Sequence, residues 1–148
     1  MEFVRHGEFQ LHVVEPVLYF RWMHAWNLET YQEAGQAYEA LKAQYRPRSL
    51  VQITDMREWE LSVPEGLAFD VQATRTEIPI RAAVLVTASQ LIQDIIHREV
   101  VRPANQAHPT FYTRGVQEAL NVLVEQGFLA ARDLPRLARG LRDFGVQV

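Results

Sequence analysis

Alternation of polar and apolar residues predicts a strand hairpin near the start of the chain. From Glu8 to Val13 the two kinds of residue alternate with a period of two, as they do in a half-buried strand. Glu15-Pro16 interrupts this pattern, and β-forming residues resume from Val17 to Trp22. Because so few residues separate the two runs, they predict two antiparallel strands joined by a tight turn.

Apolar residues recur every three or four positions in five later segments, which predicts helices. The first segment begins after Asn27, a residue type that commonly caps a helix N-terminus, and ends before Pro47. The third has the strongest apolar stripe, formed by Leu91, Ile92, Ile95, Ile96 and Val100. The predicted helices are Leu28–Tyr45, Glu65–Glu77, Ser89–Val101, Arg114–Gln126 and the short Asp133–Phe144, and the predicted strands among them are Leu50–Thr54, Ile80–Thr87 and Thr110–Thr113.

Strands that alternate with helices in this way predict βαβ units and therefore an α/β fold. We expect a mostly parallel mixed sheet of about five strands that begins with the hairpin. Four main helices and a short C-terminal helix would cover it. The chain of 148 residues has no repeats or linkers, which predicts a single domain over 1–148, with 130–148 as a C-terminal helical extension.

Composition narrows the class of protein. Hydrophobic residues make up 48% of the chain and charged residues 22%, as in ordinary globular proteins. The net charge of −3 argues against a general nucleic-acid binder. The absence of cysteine excludes disulfides, thiolate metal sites and cysteine catalysis. The N-terminus has no signal-peptide pattern and the apolar runs are too short to cross a bilayer, so we expect a cytoplasmic protein without a transmembrane segment.

The stretch from Ser49 to Gly66 has the features of a binding edge. A predicted strand leads into a polar loop that carries Trp59, and Ser62 with Glu65 three residues later forms a capping-box pattern that starts the next helix. Strand-to-helix connections of α/β proteins lie outside the carboxyl ends of the strands, where ligands and partners bind. The candidate binding residues are Trp26, Asp55, Arg57, Trp59, Ser62, Glu65 and Gly66.

Several short motifs in the sequence are similar to motifs of the STAS domain. They are Trp26-Asn27-Leu28-Glu29 before the first predicted helix, Trp59…Pro64-Glu65 before the second, and Phe111-Tyr112-Thr113 followed by Glu118-Ala119-Leu120. With the hairpin start and the order of elements, they resemble stand-alone bacterial SpoIIAA-like proteins, relatives of anti-sigma-factor antagonists, over roughly Glu8 to Phe128. The resemblance implies a SpoIIAA-like fold and a function in binding proteins or small ligands rather than in catalysis.

The resemblance also implies where a phosphorylation motif would fall. In anti-sigma-factor antagonists the second helix begins with an Asp-Ser-Ser-Gly motif. A partner kinase phosphorylates the serine before the glycine. That motif falls on Val63 to Gly66, so Glu65 stands at the acceptor position and Ser62 lies just outside the motif. Glutamate carries one fixed negative charge where phosphoserine carries nearly two, and we expect no phosphorylation here.

Two tryptophans predicted to lie in loops leave two interpretations open. Trp22 closes a predicted strand and is expected in the core, whereas Trp26 and Trp59 are either packed lids or binding anchors. If the two loops meet, they form an apolar groove rimmed by Arg57 and nearby glutamates. Such a groove would hold a small lipid-like ligand or a helix of a partner protein.

No pattern typical of catalysis or of metal binding accompanies these residues. We interpret the acidic cluster of Asp55, Glu58, Glu60 and Glu65 as a solvated loop. The histidines form no HxH or HExxH pattern, and no GxSxG surrounds a serine. They are His6, His12, His24, His97 and His108. We expect no metal site, no cofactor and no enzymatic activity.

The final predicted helix has a basic side. Its arginines, Arg132, Arg136, Arg139 and Arg142, lie opposite Leu134, Leu137 and Leu141. A basic amphipathic helix can dock on an anionic membrane or an acidic partner, and this one can also mediate a homodimer. Short isolated helices are marginally stable, so we expect it to pack on its own domain with the arginines in solvent.

These observations predict a non-enzymatic regulatory module that binds a protein partner through the loop between the third strand and the second helix. The alternative is a protein that binds a small apolar ligand near Trp26 and Trp59. A third hypothesis, a hydrolase or transferase that uses the acidic loop, requires a carboxylate or histidine with a strongly perturbed pKa in a cleft.

Overall fold

The computed structural model describes residues 8–45, 49–60, 80–102 and 108–148, and places five strands in one sheet. The order across the sheet follows the chain: β1 (Glu8–Val14), β2 (Val17–His24), β3 (Leu50–Trp59), β4 (Ile80–Val86) and β5 (Thr110–Thr113). β1 pairs antiparallel with β2, and the other neighbours are parallel. The predicted α/β fold with an N-terminal hairpin is confirmed, whereas the predicted helix Glu65–Glu77 lies outside the described residues.

Four helices connect or follow the described strands. They are α1 (Leu28–Gln44), α2 (Gln90–Ile96), α3 (Val116–Glu125) and α4 (Leu134–Asp143). Local capping explains two of the starts: the Asn27 side chain accepts a hydrogen bond from the Thr30 N–H at 3.1 Å, and Ser89 accepts one from the Ile92 N–H at 3.2 Å. Gly127, at φ +82°, ends α3 as the sequence predicts.

The sheet separates two hydrophobic layers of different composition. Alternate residues of a strand point to opposite faces, so Val17 and Tyr19 of β2 enter one layer while Leu18 and Phe20 enter the other. The aliphatic layer lies under α3 and α4 and includes Val51, Ile53, Val84, Leu120, Leu123, Leu137 and Leu141. The aromatic layer lies under α1 and α2 and includes Phe20, Trp22, Trp26, Tyr31, Tyr38 and Trp59.

The apolar stripe predicted for the helix Ser89–Val101 is wrong at one position. Leu91 is 63% exposed, although Ile96 and Val100 of the same stripe are buried. After Ile96 the helix continues as a π-helical turn, His97–Val101. At 3.6 residues per turn, Leu91 lies about 140° around the helix axis from Ile96, so the predicted stripe is wider than the buried side of the helix.

α4 packs on its own domain, as expected from the sequence. Leu137 and Leu141 are fully buried in the aliphatic layer. A Cβ atom built on Gly140 would lie 2.7 Å from Cγ1 of Val14, which shows that the absence of a side chain lets the helix approach β1. Among the described residues, no helix is both long enough and apolar enough to cross a membrane.

Candidate functional site

β3 is longer than predicted, and this changes the candidate site. The sequence predicts a strand that ends at Thr54 and a loop that carries Trp59, whereas β3 continues to Trp59. The predicted loop at these positions is wrong. Asp and Glu are poor strand formers, but the pairing of β3 with β2 and β4 overrides that preference.

Asp55 is the centre of a buried polar cluster. Only 2% of Asp55 is exposed, so its interpretation as part of a solvated loop is wrong. The Tyr19 hydroxyl donates a hydrogen bond to Oδ2. The Arg57 guanidinium donates twice, from Nε to Oδ1 at 2.9 Å and from Nη2 to Oδ2 at 2.8 Å. This bidentate geometry joins an ion pair to hydrogen bonds that satisfy the buried carboxylate.

The cluster keeps its charges fixed near neutral pH. Burial by itself raises the pKa of Asp55, but the hydrogen bonds from Arg57 and Tyr19 outweigh burial and hold that pKa below its ordinary value. Burial and the bond to Asp55 raise the pKa of Tyr19 well above its ordinary value. An ionised Asp–Arg pair beside a neutral tyrosine has no group ready to exchange a proton near pH 7, so it is suited to structure rather than to acid–base catalysis.

Arg57 also connects β3 to the end of the chain. Its Nη2 donates to the backbone oxygen of Gln147 at 2.8 Å, and the neighbouring Val146 is buried in the aliphatic layer. Beside it, Arg21 of β2 donates to Glu58 Oε1 at 2.6 Å, while 53% of the Glu58 side chain remains exposed. The carboxyl end of β3 is therefore held from two directions and still presents a carboxylate to solvent.

Trp26 and Trp59 are interior residues. They are 2% and 3% exposed, and both rings lie against Trp22, at centroid distances of 4.4 Å and 5.5 Å. Trp26 Nε1 donates to the backbone oxygens of Met23, at 3.0 Å, and of Glu8, at 3.1 Å. The expectation that Trp22 is in the core is confirmed, and the other two tryptophans are packed in the same layer.

The predicted binding residues fall on both sides of the sheet. Asp55 and Arg57 meet on the side of the aliphatic layer, whereas Trp26 and Trp59 belong to the aromatic layer. Ser62, Glu65 and Gly66 lie outside the described residues. What the two groups share is their position at the carboxyl ends of β2 and β3.

Sequence reasoning missed the partners of Asp55 and Glu58. Tyr19 lies 36 positions before Asp55, and Arg21 lies 37 positions before Glu58. One signal was present, because Arg21 stands alone in the otherwise apolar run of β2. A charged residue inside a buried strand usually has a charged partner on a neighbouring strand.

No protein-family model and no curated protein matches the sequence. Solved structures do resemble it. One is an uncharacterised DUF3478-family protein with a SpoIIAA-like fold from Shewanella loihica PV-4, with TM-score 0.62 and 12% identity over 83% of this chain and 98% of that chain. Another is an anti-sigma factor antagonist from Mycobacterium paratuberculosis, with TM-score 0.54 and 14% identity over 78% of this chain and 92% of that chain. The predicted SpoIIAA-like fold is confirmed.

Proposed function

We propose that this protein is a non-enzymatic regulatory module that binds a protein partner through the carboxyl end of β3 and the segment after it. The likeness to an anti-sigma factor antagonist supports a regulatory function exercised through protein contacts. The fixed charges of the Asp55 cluster support a binding role over a catalytic one.

The observation that carries this proposal is the rigid construction of the end of β3. Asp55 is buried and bonded to Arg57, while Glu58 and Glu60 beside them are exposed. A surface fixed in advance loses less conformational freedom when a partner binds, so more of the contact energy remains as affinity.

A quantitative affinity capture from the native host tests this. The bait is the whole chain with Glu58→Lys and Glu60→Lys together, compared with the unchanged chain. The tryptophans are unsuitable probes because they are buried, and truncating them would disturb the fold. A matched control is Glu125→Lys, an exposed glutamate at the end of α3, which runs away from the carboxyl edge of β5.

We expect one or more proteins to be retained by the unchanged chain and by Glu125→Lys, and lost with the double variant. Reversal of two rim charges acts mainly on association and specificity, so the loss should be strongest at low salt. Equal recovery by all three baits would contradict the proposed surface.

The alternative function, binding of a small apolar ligand near Trp26 and Trp59, draws support from one observation. The Nε1 atoms of Trp22 and Trp59 are buried and have no hydrogen-bond acceptor among the described residues. A ligand with a carbonyl or carboxylate group would supply one. Titration of the purified chain with a medium-chain fatty acid, followed by tryptophan fluorescence, tests this because the three indoles are adjacent; an unchanged spectrum would argue against it.

A further inference from the structure

The outer side of α4 carries a row of exposed arginines. Arg136, Arg139 and Arg142 follow one another at steps of three and are all exposed, while Leu137 and Leu141 on the other side are fully buried. Residues three apart lie along one ridge of a helix surface. We call these three residues the arginine ridge.

The ridge is fixed to the domain at one end. Arg136 donates from Nη1 to the backbone oxygen of Glu15 at 3.0 Å, and its Nη2 lies 3.6 Å from Asp133 Oδ1, yet 55% of its side chain is exposed. Within residues 8–45, 49–60, 80–102 and 108–148, Arg139 and Arg142 form no ion pair. The ridge therefore presents guanidinium groups to solvent from a helix that is anchored by its buried side.

The charge of the rest of the chain limits the classes of partner that the arginine ridge can bind. The whole chain has a net charge of −3, so the ridge is a local basic surface on an acidic protein. A duplex nucleic acid would meet repulsion from the remainder of the surface. A membrane helix needs an apolar side to insert, and the apolar side of α4 is already buried against β1 and the aliphatic layer.

We propose that the arginine ridge is a docking surface for an acidic helix of a partner protein. Carboxylates that recur every three or four residues on such a helix lie along one side of it, at the same spacing as the guanidinium groups. The planar guanidinium can receive a carboxylate with two parallel hydrogen bonds, which adds orientation to charge attraction. This surface is distinct from the end of β3, and the proposal does not depend on the proposed function.

A designed peptide supplies the test. The probe is a labelled helical peptide of about four turns with glutamates aligned on one side, and its isomer has the same composition with the glutamates spread around the helix. Fluorescence anisotropy measures binding to the whole chain at about 50 mM and about 300 mM sodium chloride, where screening differs strongly. Circular dichroism melting checks that each variant folds.

Two variants and one control distinguish binding at the arginine ridge from non-specific charge attraction. Arg139→Glu with Arg142→Glu reverses two of the three ridge charges and is called the reversed ridge, and Arg139→Gln with Arg142→Gln removes the same two charges with less strain on the helix terminus. The control is Arg98→Glu, since the Arg98 side chain is 66% exposed and lies in the π-helical turn after α2, on the other side of the sheet.

We expect the aligned peptide to bind at low salt and to lose at least about tenfold in affinity with the reversed ridge, but not with Arg98→Glu. The glutamine variant should lose less, and the isomeric peptide should bind more weakly than the aligned one. The proposal is overturned if the reversed ridge leaves binding unchanged or if both peptides bind alike. It is also overturned if the ridge variants instead abolish self-association, or binding to phosphatidylserine vesicles or duplex DNA, while peptide binding is unaffected.

Discussion

The two faces of the sheet hold the protein together in different ways. The aliphatic layer packs valine, isoleucine and leucine between the sheet and α3 and α4, and it contains the buried Asp55 cluster at one end. The aromatic layer packs large rings between the sheet and α1, with centroid distances from 4.4 Å upward. Aliphatic packing depends on close fit, whereas aromatic packing also depends on ring geometry and on partners for the indole N–H groups.

The two faces together explain why the candidate binding edge is firmly held. The carboxyl end of β3 is bounded by charge pairing on one face, through Asp55 and Arg57, and by ring packing on the other, through Trp59. The strand end is therefore fixed from both sides, and the Glu58 carboxylate, although paired with Arg21, is still more than half exposed. That carboxylate remains available for binding.

The largest effect should come from breaking the buried ion pair. Asp55→Ala leaves the Arg57 guanidinium and the Tyr19 hydroxyl without their acceptor, and we expect a loss of about 3–5 kcal/mol in the free energy of unfolding. Urea unfolding measures it. The matched change Glu58→Ala, in the half-exposed pair with Arg21, should cost at most about 1 kcal/mol. Similar losses for the two variants would show that the buried cluster has no special role.

A smaller effect is expected in the aromatic layer from Trp26→Phe. Phenylalanine retains an aromatic ring but loses the two hydrogen bonds to backbone oxygens of Glu8 and Met23, so we expect a loss of about 1–3 kcal/mol. The comparison is Trp59→Phe, since Trp59 Nε1 has no acceptor within the described part of the chain. If the two substitutions cost the same in chemical unfolding, the hydrogen bonds of Trp26 are not what distinguishes it.

Gly140→Ala tests the close approach of α4 to β1. The new methyl group would overlap Val14, at a cost of about 1–3 kcal/mol, while the better helix propensity of alanine returns about 1 kcal/mol. We therefore expect a net destabilisation of about 1 kcal/mol. In a double-mutant cycle, Val14→Ala should cost less when Gly140→Ala is present. Additive effects would contradict the contact.

The smallest effect is a dependence of the free energy of unfolding on pH, and one of its two groups, His12, packs on the aliphatic side. The His12 ring stacks on Phe144 at 4.2 Å, and burial lowers the pKa of His12. The unfolded chain then binds a proton at higher pH than the folded protein, so stability is complete above about pH 6.5 and falls as pH decreases below it. Burial also lowers the pKa of His108, so both residues contribute to the slope.

Unfolding measured at several pH values between about 7.5 and 5 separates the two histidines. His12→Gln should reduce the slope of the free energy of unfolding against pH. His108→Gln should remove the remaining part of that slope. An unchanged slope in both variants would show that other groups cause the loss.

Much of the fold follows from local sequence patterns. The hairpin on either side of Glu15-Pro16, the Asn27 cap and the Gly127 terminus each depend on neighbouring residues, and each appears as predicted. The order of the strands does not follow from such patterns, because it depends on contacts between distant segments. Leu91 is exposed because it lies about 140° around the axis of α2 from the buried Ile96, so the predicted stripe is wider than the buried side of the helix.

The candidate site was less predictable for the same reason. The sequence pattern predicts a binding edge after β3 and includes Asp55 and Arg57 in it, and these two residues are in direct contact. It assigns Asp55 to solvent, because the partner that helps to bury it, Tyr19, is 36 positions away. It assigns Trp59 to a loop, because local patterns do not show the pairing with β2 that extends β3 past three charged residues.

Native mass spectrometry of the chain purified from its own host, with mild washing, tests the central claim most directly. It reports subunit number and bound mass together. A protein partner at the end of β3 predicts a complex with a different polypeptide, which dissociates when Glu58 and Glu60 are changed together to lysine. A chain that carries only a small molecule, or only a second copy of itself, would contradict that account.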